Sequence, residues 1–180
     1  MKGMAMDGSI QIYYGMGRGK TTAALGLGIR VASSGNQVIM VQFLRSRHSE
    51  SLEYLKRLEP ELQIFRFESG IDDYSNLPEE KRKEQLSNIK SALSYARKVM
   101  DTGQCDLLIL DGILGLIDFG IIDEKELRDL VSRRDESMHL VLTGRILPDG
   151  IRDLADCVYC ISTEKELKEG MLDQGFFRNL

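Results

Sequence analysis

The sequence predicts an α/β fold, a mostly parallel sheet of about six strands with helices on both faces. Three observations predict it. Short apolar runs alternate with helical patterns from one end of the chain to the other, which is how parallel strands and their crossover helices read. Several of these runs are continuously apolar, as expected of strands covered on both faces. The 180 residues suffice to bury roughly 70% of the unfolded surface, and no linker or repeat divides them. One domain over residues 1–180 is therefore expected.

The elements follow in order. Residues 10–14, Ile-Gln-Ile-Tyr-Tyr, read as the first strand, and a glycine-rich loop then leads into a helix at Ala23, Ala24 and Leu25. The second strand is expected at 38–43 and the third at 62–67. The polar stretches that follow them, 46–50 and 68–76, read as loops. Loops after strand C-termini line the ligand crevice of open α/β sheets, so both are candidate site loops. From 78 to 100 the apolar residues Leu86, Ile89, Leu93, Ala96 and Met100 step by three and four, a helical stripe. Pro78 and Gly103 punctuate its ends. The fourth strand, 107–110, ends at Asp111. Asp123 with Glu126 forms a capping box ahead of a helix that turns Leu127, Leu130 and Val131 inward. The fifth strand is expected at 140–143, opened by a structural His139, and the sixth at 158–161.

Composition excludes several function classes. Charged residues are 29%, and 24 basic against 28 acidic side chains give a net charge of −4, which argues against a general nucleic-acid binder. No apolar run approaches the ~18 residues of a membrane span. Residues 1–9 hold one lysine and no apolar core, unlike a signal peptide. Cys105, Cys157 and Cys160 form no disulfide framework, so a reduced, cytoplasmic setting is expected. Cys157 and Cys160 have the spacing of a redox pair, but they lie in a strand-like run with no second pair for zinc, and buried thiols are expected.

The chemistry is concentrated in the loop Gly15-Met16-Gly17-Arg18-Gly19-Lys20-Thr21-Thr22. Strand, glycine loop, Gly-Lys-Thr and helix are the parts of a phosphate site. Glycines let backbone N–H groups approach an anion, and the helix N-terminus adds about half a positive charge. Lys20 would reach phosphate oxygens and the Thr21 hydroxyl would hold Mg²⁺. The fold is thus expected to be P-loop NTPase-like. Residues 8–49 contain no acidic side chain and carry Arg18, Lys20, Arg30, Arg45 and Arg47, a field suited to polyphosphate. Asp111, at the end of an apolar strand, reads as a ligand to Mg²⁺ or to its waters, or as a helix cap. Arg145, in Thr143-Gly144-Arg145, reads as a phosphate or ribose contact, or as a structural ion pair. The loop is one residue shorter than the usual pattern, with Tyr14 in the place of the first glycine.

These pieces recur together elsewhere. The short loop followed by Thr-Thr-Ala-Ala, the segment Val41-Gln42-Phe43-Leu44-Arg45, Leu110-Asp111, Leu142-Thr143-Gly144-Arg145 and Asp153-Leu154-Ala155-Asp156 resemble, in order and spacing, the P-loop ATP:corrinoid adenosyltransferases. The resemblance runs from about residue 10 to residue 175. It implies transfer of the 5′-deoxyadenosyl group of ATP to the cobalt of a reduced corrinoid, with release of triphosphate. Carried over, Gly15, Met16, Gly17, Arg18, Gly19, Lys20, Thr21, Thr22 and Arg145 bind ATP, and Lys20 and Arg145 assist catalysis. Thr21 and Asp111 hold Mg²⁺. Gly70, Ile71 and Tyr74 face the corrinoid. The family also implies an electron-donor protein such as a flavodoxin, and a homodimer.

The sequence departs from the family pattern at three places. Met16 and Arg18 replace the usual Asn and Lys. Gly112 stands where a metal-holding Glu is usual. Ile71, Asp72, Asp73 and Tyr74 follow Gly70 in place of Phe-Thr-Trp. Two alternatives stay open beside adenosyl transfer: a non-catalytic relative that binds ATP or corrinoid, and a small P-loop ATPase or kinase.

Overall fold

The computed structural model describes residues 7–44, 52–67 and 77–165, with the side chains of 52 and 53 left aside. The strands are β1 (Ile10–Tyr14), β2 (Val38–Gln42), β3 (Leu62–Arg66), β4 (Leu107–Asp111), β5 (His139–Gly144) and β6 (Cys157–Cys160). They form one sheet in the order β3-β2-β4-β5-β1-β6, and every pairing is parallel. The helices are α1 (Lys20–Ala32), α2 (Glu79–Thr102), α3 (Leu114–Asp118), α4 (Glu124–Val131) and α5 (Asp149–Arg152), with a 3₁₀ helix at Leu52–Leu58.

Two apolar clusters separate the faces of the sheet. On one face, Ala24 and Ala32 of α1 pack on Tyr13, Met40, Leu107, Ile109 and Val141. On the other, Ile89 and Ala96 of α2, Leu114 of α3, Leu127 of α4 and Ile151 of α5 pack on Ile12, Val41, Leu108, Leu110 and Leu142. Successive side chains of a strand point to opposite faces. β2 and β4 therefore supply both clusters and are buried at every position. Helix α2 turns Gln85, Ala92 and Val99 inward beside Ile89, Ala96 and Met100. Leu86 and Leu93 of the expected stripe are only half-buried, because small Ala92 and Ala96 lie closest to the sheet. Asp123 caps α4 as expected: its carboxylate accepts from the Glu126 N–H at 2.7 Å, and the Glu126 carboxylate accepts from the Asp123 N–H at 3.0 Å.

The register places the C-terminal ends of all six strands along one edge. Gln42 stands beside Arg66 on one side and Asp111 on the other. Tyr14 stands between Gly144 and Cys160. The glycine loop, Asp111 and Arg145 thus leave the sheet at the same edge.

Two expectations need correction or completion. Cys105 is buried, and burial pushes its thiol up to about 12. Cys157 and Cys160, however, are exposed, because β6 is the last strand of the sheet. Three residues apart on a strand, they point to opposite faces and cannot pair with each other. Asp156 has a structural role: its carboxylate accepts from the Ile10 N–H at 2.7 Å and its own N–H donates to the Ile10 carbonyl at 2.9 Å, fixing β6 to the start of β1.

Candidate functional site

The loop at residues 15–19 is pressed against backbone on two sides. The Gly15 N–H donates to the Arg145 carbonyl at 3.0 Å, and the Gly17 N–H donates to the Ile161 carbonyl at 2.9 Å. A Cβ at Gly15 would lie 2.4 Å from the Ile161 oxygen, and one at Gly17 would lie 2.7 Å from the Ser162 carbonyl carbon. Gly15 also has φ +117, which side-chain-bearing residues rarely adopt. The first loop glycine is thus required by the backbone of Ile161, the residue that follows β6. Tyr14, in the place of the usual glycine, is still in β1, and the Arg152 guanidinium lies over its ring, 5.3 Å from the centroid.

Lys20 opens α1, and its ammonium reaches back into the loop. Nζ donates to the Gly15 carbonyl at 2.6 Å and to the Gly17 carbonyl at 2.5 Å. Partial burial and then the Arg145 guanidinium hold its pKa below the usual lysine range, with Asp111 opposing. Among the described residues, Lys20 and Arg145 thus act on each other, with Asp111 acting on Lys20 and Asp118 facing the charge of Arg145. Beside Lys20, Arg18, Gly19, Thr22 and Ala23 line a hollow of about 440 Å³. Met16 extends from the loop into solvent.

Thr21 and Asp111 are brought together across 90 positions of sequence. The Thr21 hydroxyl lies 3.0 and 3.1 Å from the two Asp111 carboxylate oxygens. Asp111 is 2% exposed and receives two further donors, the Thr143 hydroxyl at 2.8 Å on Oδ1 and the Gln42 amide at 3.1 Å on Oδ2. It belongs to β4 and does not cap α3, which begins three residues later. Because the Thr21 proton is directed at Asp111, the remaining Thr21 lone pairs face away from the carboxylate. That is an oxygen donor set of the kind Mg²⁺ takes. Among the described residues no three His, Cys, Asp or Glu side chains form a metal cluster, so a metal here needs oxygens from its nucleotide and from water.

Gly112 turns the chain out of β4 with φ +84. Its N–H donates to the Thr143 hydroxyl at 2.8 Å.

Sequence reasoning brought Lys20, Thr21, Asp111 and Arg145 to one edge, and the structure places them there. It gave no role to Gln42 or Thr143. Each directly follows an apolar, buried run, residues 38–41 in β2 and 140–142 in β5, and that pattern was the available signal. Arg45, Arg47, Gly70, Ile71 and Tyr74 lie outside the described residues. No helix among the described residues is long and apolar enough to cross a membrane.

The corrinoid adenosyltransferase of Escherichia coli K12 is 25% identical to this chain over 154 residues, covering 84% of this chain and 74% of its own. Corrinoid adenosyltransferase CobA of Salmonella typhimurium is 25% identical over 151 residues with the same coverage. An uncharacterized Nostoc protein, all2391, is 26% identical over 163 residues. That match covers 84% of this chain, which spans 43% of the length of the Nostoc protein. Among solved structures, the KaiC-like protein PH0186 of Pyrococcus horikoshii superimposes with a TM-score of 0.51 at 19% identity, over 88% of this chain and 75% of its own. That likeness concerns the fold, an α/β P-loop sheet. The family model for ATP:corrinoid adenosyltransferase BtuR/CobO/CobP matches residues 6–175, through every strand of the sheet and the loop between β1 and α1, and this chain belongs to that family.

Proposed function

We propose that this chain transfers the 5′-deoxyadenosyl group of ATP to the cobalt of a reduced corrinoid. Family membership across residues 6–175 carries the reading, and the convergence of Lys20, Thr21, Asp111 and Arg145 supports it. Residues 15–22 and Arg145 bind ATP, with the triphosphate against Lys20 and the loop N–H groups other than those of Gly15 and Gly17, which donate to the Arg145 and Ile161 carbonyls. The cobalt(I) electron pair attacks C5′. The C5′–O bond breaks, and its electrons leave on the triphosphate. The protein supplies no nucleophile, so its work is positioning and charge neutralisation. Lys20 and Arg145 stabilise the charge that grows on the departing oxygen. Thr21 and Asp111 would hold Mg²⁺, which would supply further charge neutralisation for the triphosphate. Gly70, Ile71 and Tyr74, outside the described residues, are assigned to the corrinoid on the family resemblance. A single domain working in the cytoplasm, as a homodimer served by a flavodoxin-like electron donor, completes the reading.

The test is incubation with ATP, Mg²⁺ and chemically reduced cobalamin. Expected products are a light-sensitive Co–C species and triphosphate in equal amounts. Phosphate alone would indicate an ATPase or kinase. ATP binding without turnover would indicate a non-catalytic relative, a reading that Gly112 favours because it brings no second carboxylate to the metal.

Asp111 carries more of the metal site here than a paired Asp-Glu would. Asp111→Asn keeps the shape and removes the charge. Hydrogen bonds to a charged group contribute ~1.5–3 kcal/mol each, so the variant is expected to lose at least about tenfold in Mg²⁺-dependent ATP affinity. Titration calorimetry with Mg²⁺ and with EDTA checks this, and equal Mg²⁺ enhancement in variant and parent would place the metal elsewhere.

A further inference from the structure

Gln42 and Arg66 stand side by side at the ends of β2 and β3, outside the glycine loop. Gln42 is 1% exposed. An amide side chain has two faces, one accepting and one donating, and either can be turned toward a neighbour. Arg66 removes that freedom. Its guanidinium nitrogen donates to Gln42 Oε1 at 3.0 Å, and a guanidinium has no acceptor to offer a flipped amide. Gln42 Nε2 is thereby turned to Asp111 Oδ2 at 3.1 Å. Thr143 holds the other carboxylate oxygen, Oδ1, at 2.8 Å. With both oxygens fixed from the sheet side, the carboxylate plane is set. The Thr21 proton then finds its acceptor at 3.0–3.1 Å, with the Thr21 lone pairs directed away.

We infer that Gln42 is a positioning residue for the metal site, and that Arg66 locks its amide in the donating orientation toward Asp111. The inference rests on the reading of Thr21 and Asp111 as the Mg²⁺ site. In this assignment Gln42 and Arg66 are neither metal ligands nor ATP contacts. They act by keeping Asp111 in the one orientation that leaves Thr21 free to accept a cation. A residue that acts through an ordered carboxylate affects metal-dependent binding and leaves metal-free binding alone.

The experiment measures ATP affinity by calorimetry in Mg²⁺ and in EDTA, for the parent, Gln42→Leu and Arg66→Ala. The ratio of the two affinities is the readout, because a general loss of structure weakens both. Gln42→Leu is expected to lower the ratio about fivefold or more, and Arg66→Ala about twofold to threefold, with EDTA affinity kept. In an Asp111→Asn background, Gln42→Leu is expected to change the ratio no further, since its effect runs through Asp111. Parental ratios in both single variants would overturn the inference. Should Gln42→Leu fail to fold, Arg66→Ala decides, because Arg66 is exposed and an unchanged ratio there overturns the lock. A parent whose ATP affinity ignores Mg²⁺ would overturn the metal-site reading itself, and the inference with it. That outcome appears in the parent alone and is therefore distinct from failure of the Gln42–Arg66 assignment.

Discussion

Replacing Lys20 by alanine is expected to lower ATP affinity about tenfold to a hundredfold while the fold persists. A charge-assisted contact to phosphate contributes ~1.5–3 kcal/mol, and each 1.4 kcal/mol is about tenfold. The position of Lys20 is poor for stability. Burial and Arg145 both disfavour its charge, and its ammonium is spent on two loop carbonyls, Gly15 and Gly17. A side chain kept in such a place answers to a ligand. Removing it relieves repulsion from Arg145, which offsets the loss of its bonds to the Gly15 and Gly17 carbonyls, left to be satisfied by water. The melting temperature is therefore expected to stay within about 3 °C, the shift that roughly 1 kcal/mol produces in a chain of this size. Calorimetric titration with ATP beside a thermal melt of the same protein checks both halves. Unchanged affinity would remove the loop from the nucleotide site.

The second large effect concerns Gly112. Restoring the family carboxylate by Gly112→Glu is expected to destabilise the protein instead of strengthening its metal site. The backbone there has φ +84, and an added Cβ would stand 2.5 Å from the Phe43 carbonyl oxygen. The left-handed conformation costs roughly 1–2 kcal/mol in a residue with a side chain. Overpacking adds typically ~1–3 kcal/mol. Phe43 has little room to retreat: its N–H donates to the Asp111 carbonyl at 2.8 Å, and the next residue, Leu44, has φ +52. The melting point should fall by on the order of 10 °C. Gly112→Ala should fall by a similar amount, since the fault lies at Cβ. A Gly112→Glu protein as stable as its parent, with tighter Mg²⁺-dependent ATP binding, would contradict this. The turn after β4 thus disfavours any side chain at position 112, and a one-residue change there is not expected to add a metal-holding carboxylate.

Much of this architecture was legible in the sequence because strands buried on both faces have to be apolar throughout. β1 falls on the expected residues, and β4 extends one further to include Asp111. Short elements gave no signal. α3 and α5 have five and four residues, too few to show a helical period. The expected stripe of α2 holds at Ile89, Ala96 and Met100 and differs at Leu86 and Leu93, because Leu outranks Ala in apolarity, whereas close packing on a sheet favours the smaller Ala92. In the site, Lys20, Thr21 and Asp111 could be read because each belongs to a local pattern. The bond from Gln42 to Asp111 spans 69 positions. It exists only because the register sets those two strand ends side by side, and no local pattern encodes a register.

The glycine loop leans on Ile161, whose N–H donates to the Tyr14 carbonyl at 2.7 Å and whose carbonyl receives the Gly17 N–H. Ile161 directly follows the outermost strand, the least buried in the sheet. Edge elements open more readily than core ones. The loop and β6 are therefore coupled: were β6 to lift from β1, Gly17 would lose its acceptor at Ile161, while Gly15 would keep the Arg145 carbonyl. By linkage, any anion that binds the closed loop also holds β6 down. A ligand bound at the loop is therefore expected to steady the sheet's outer edge, although the strand itself need contribute no atom to that ligand.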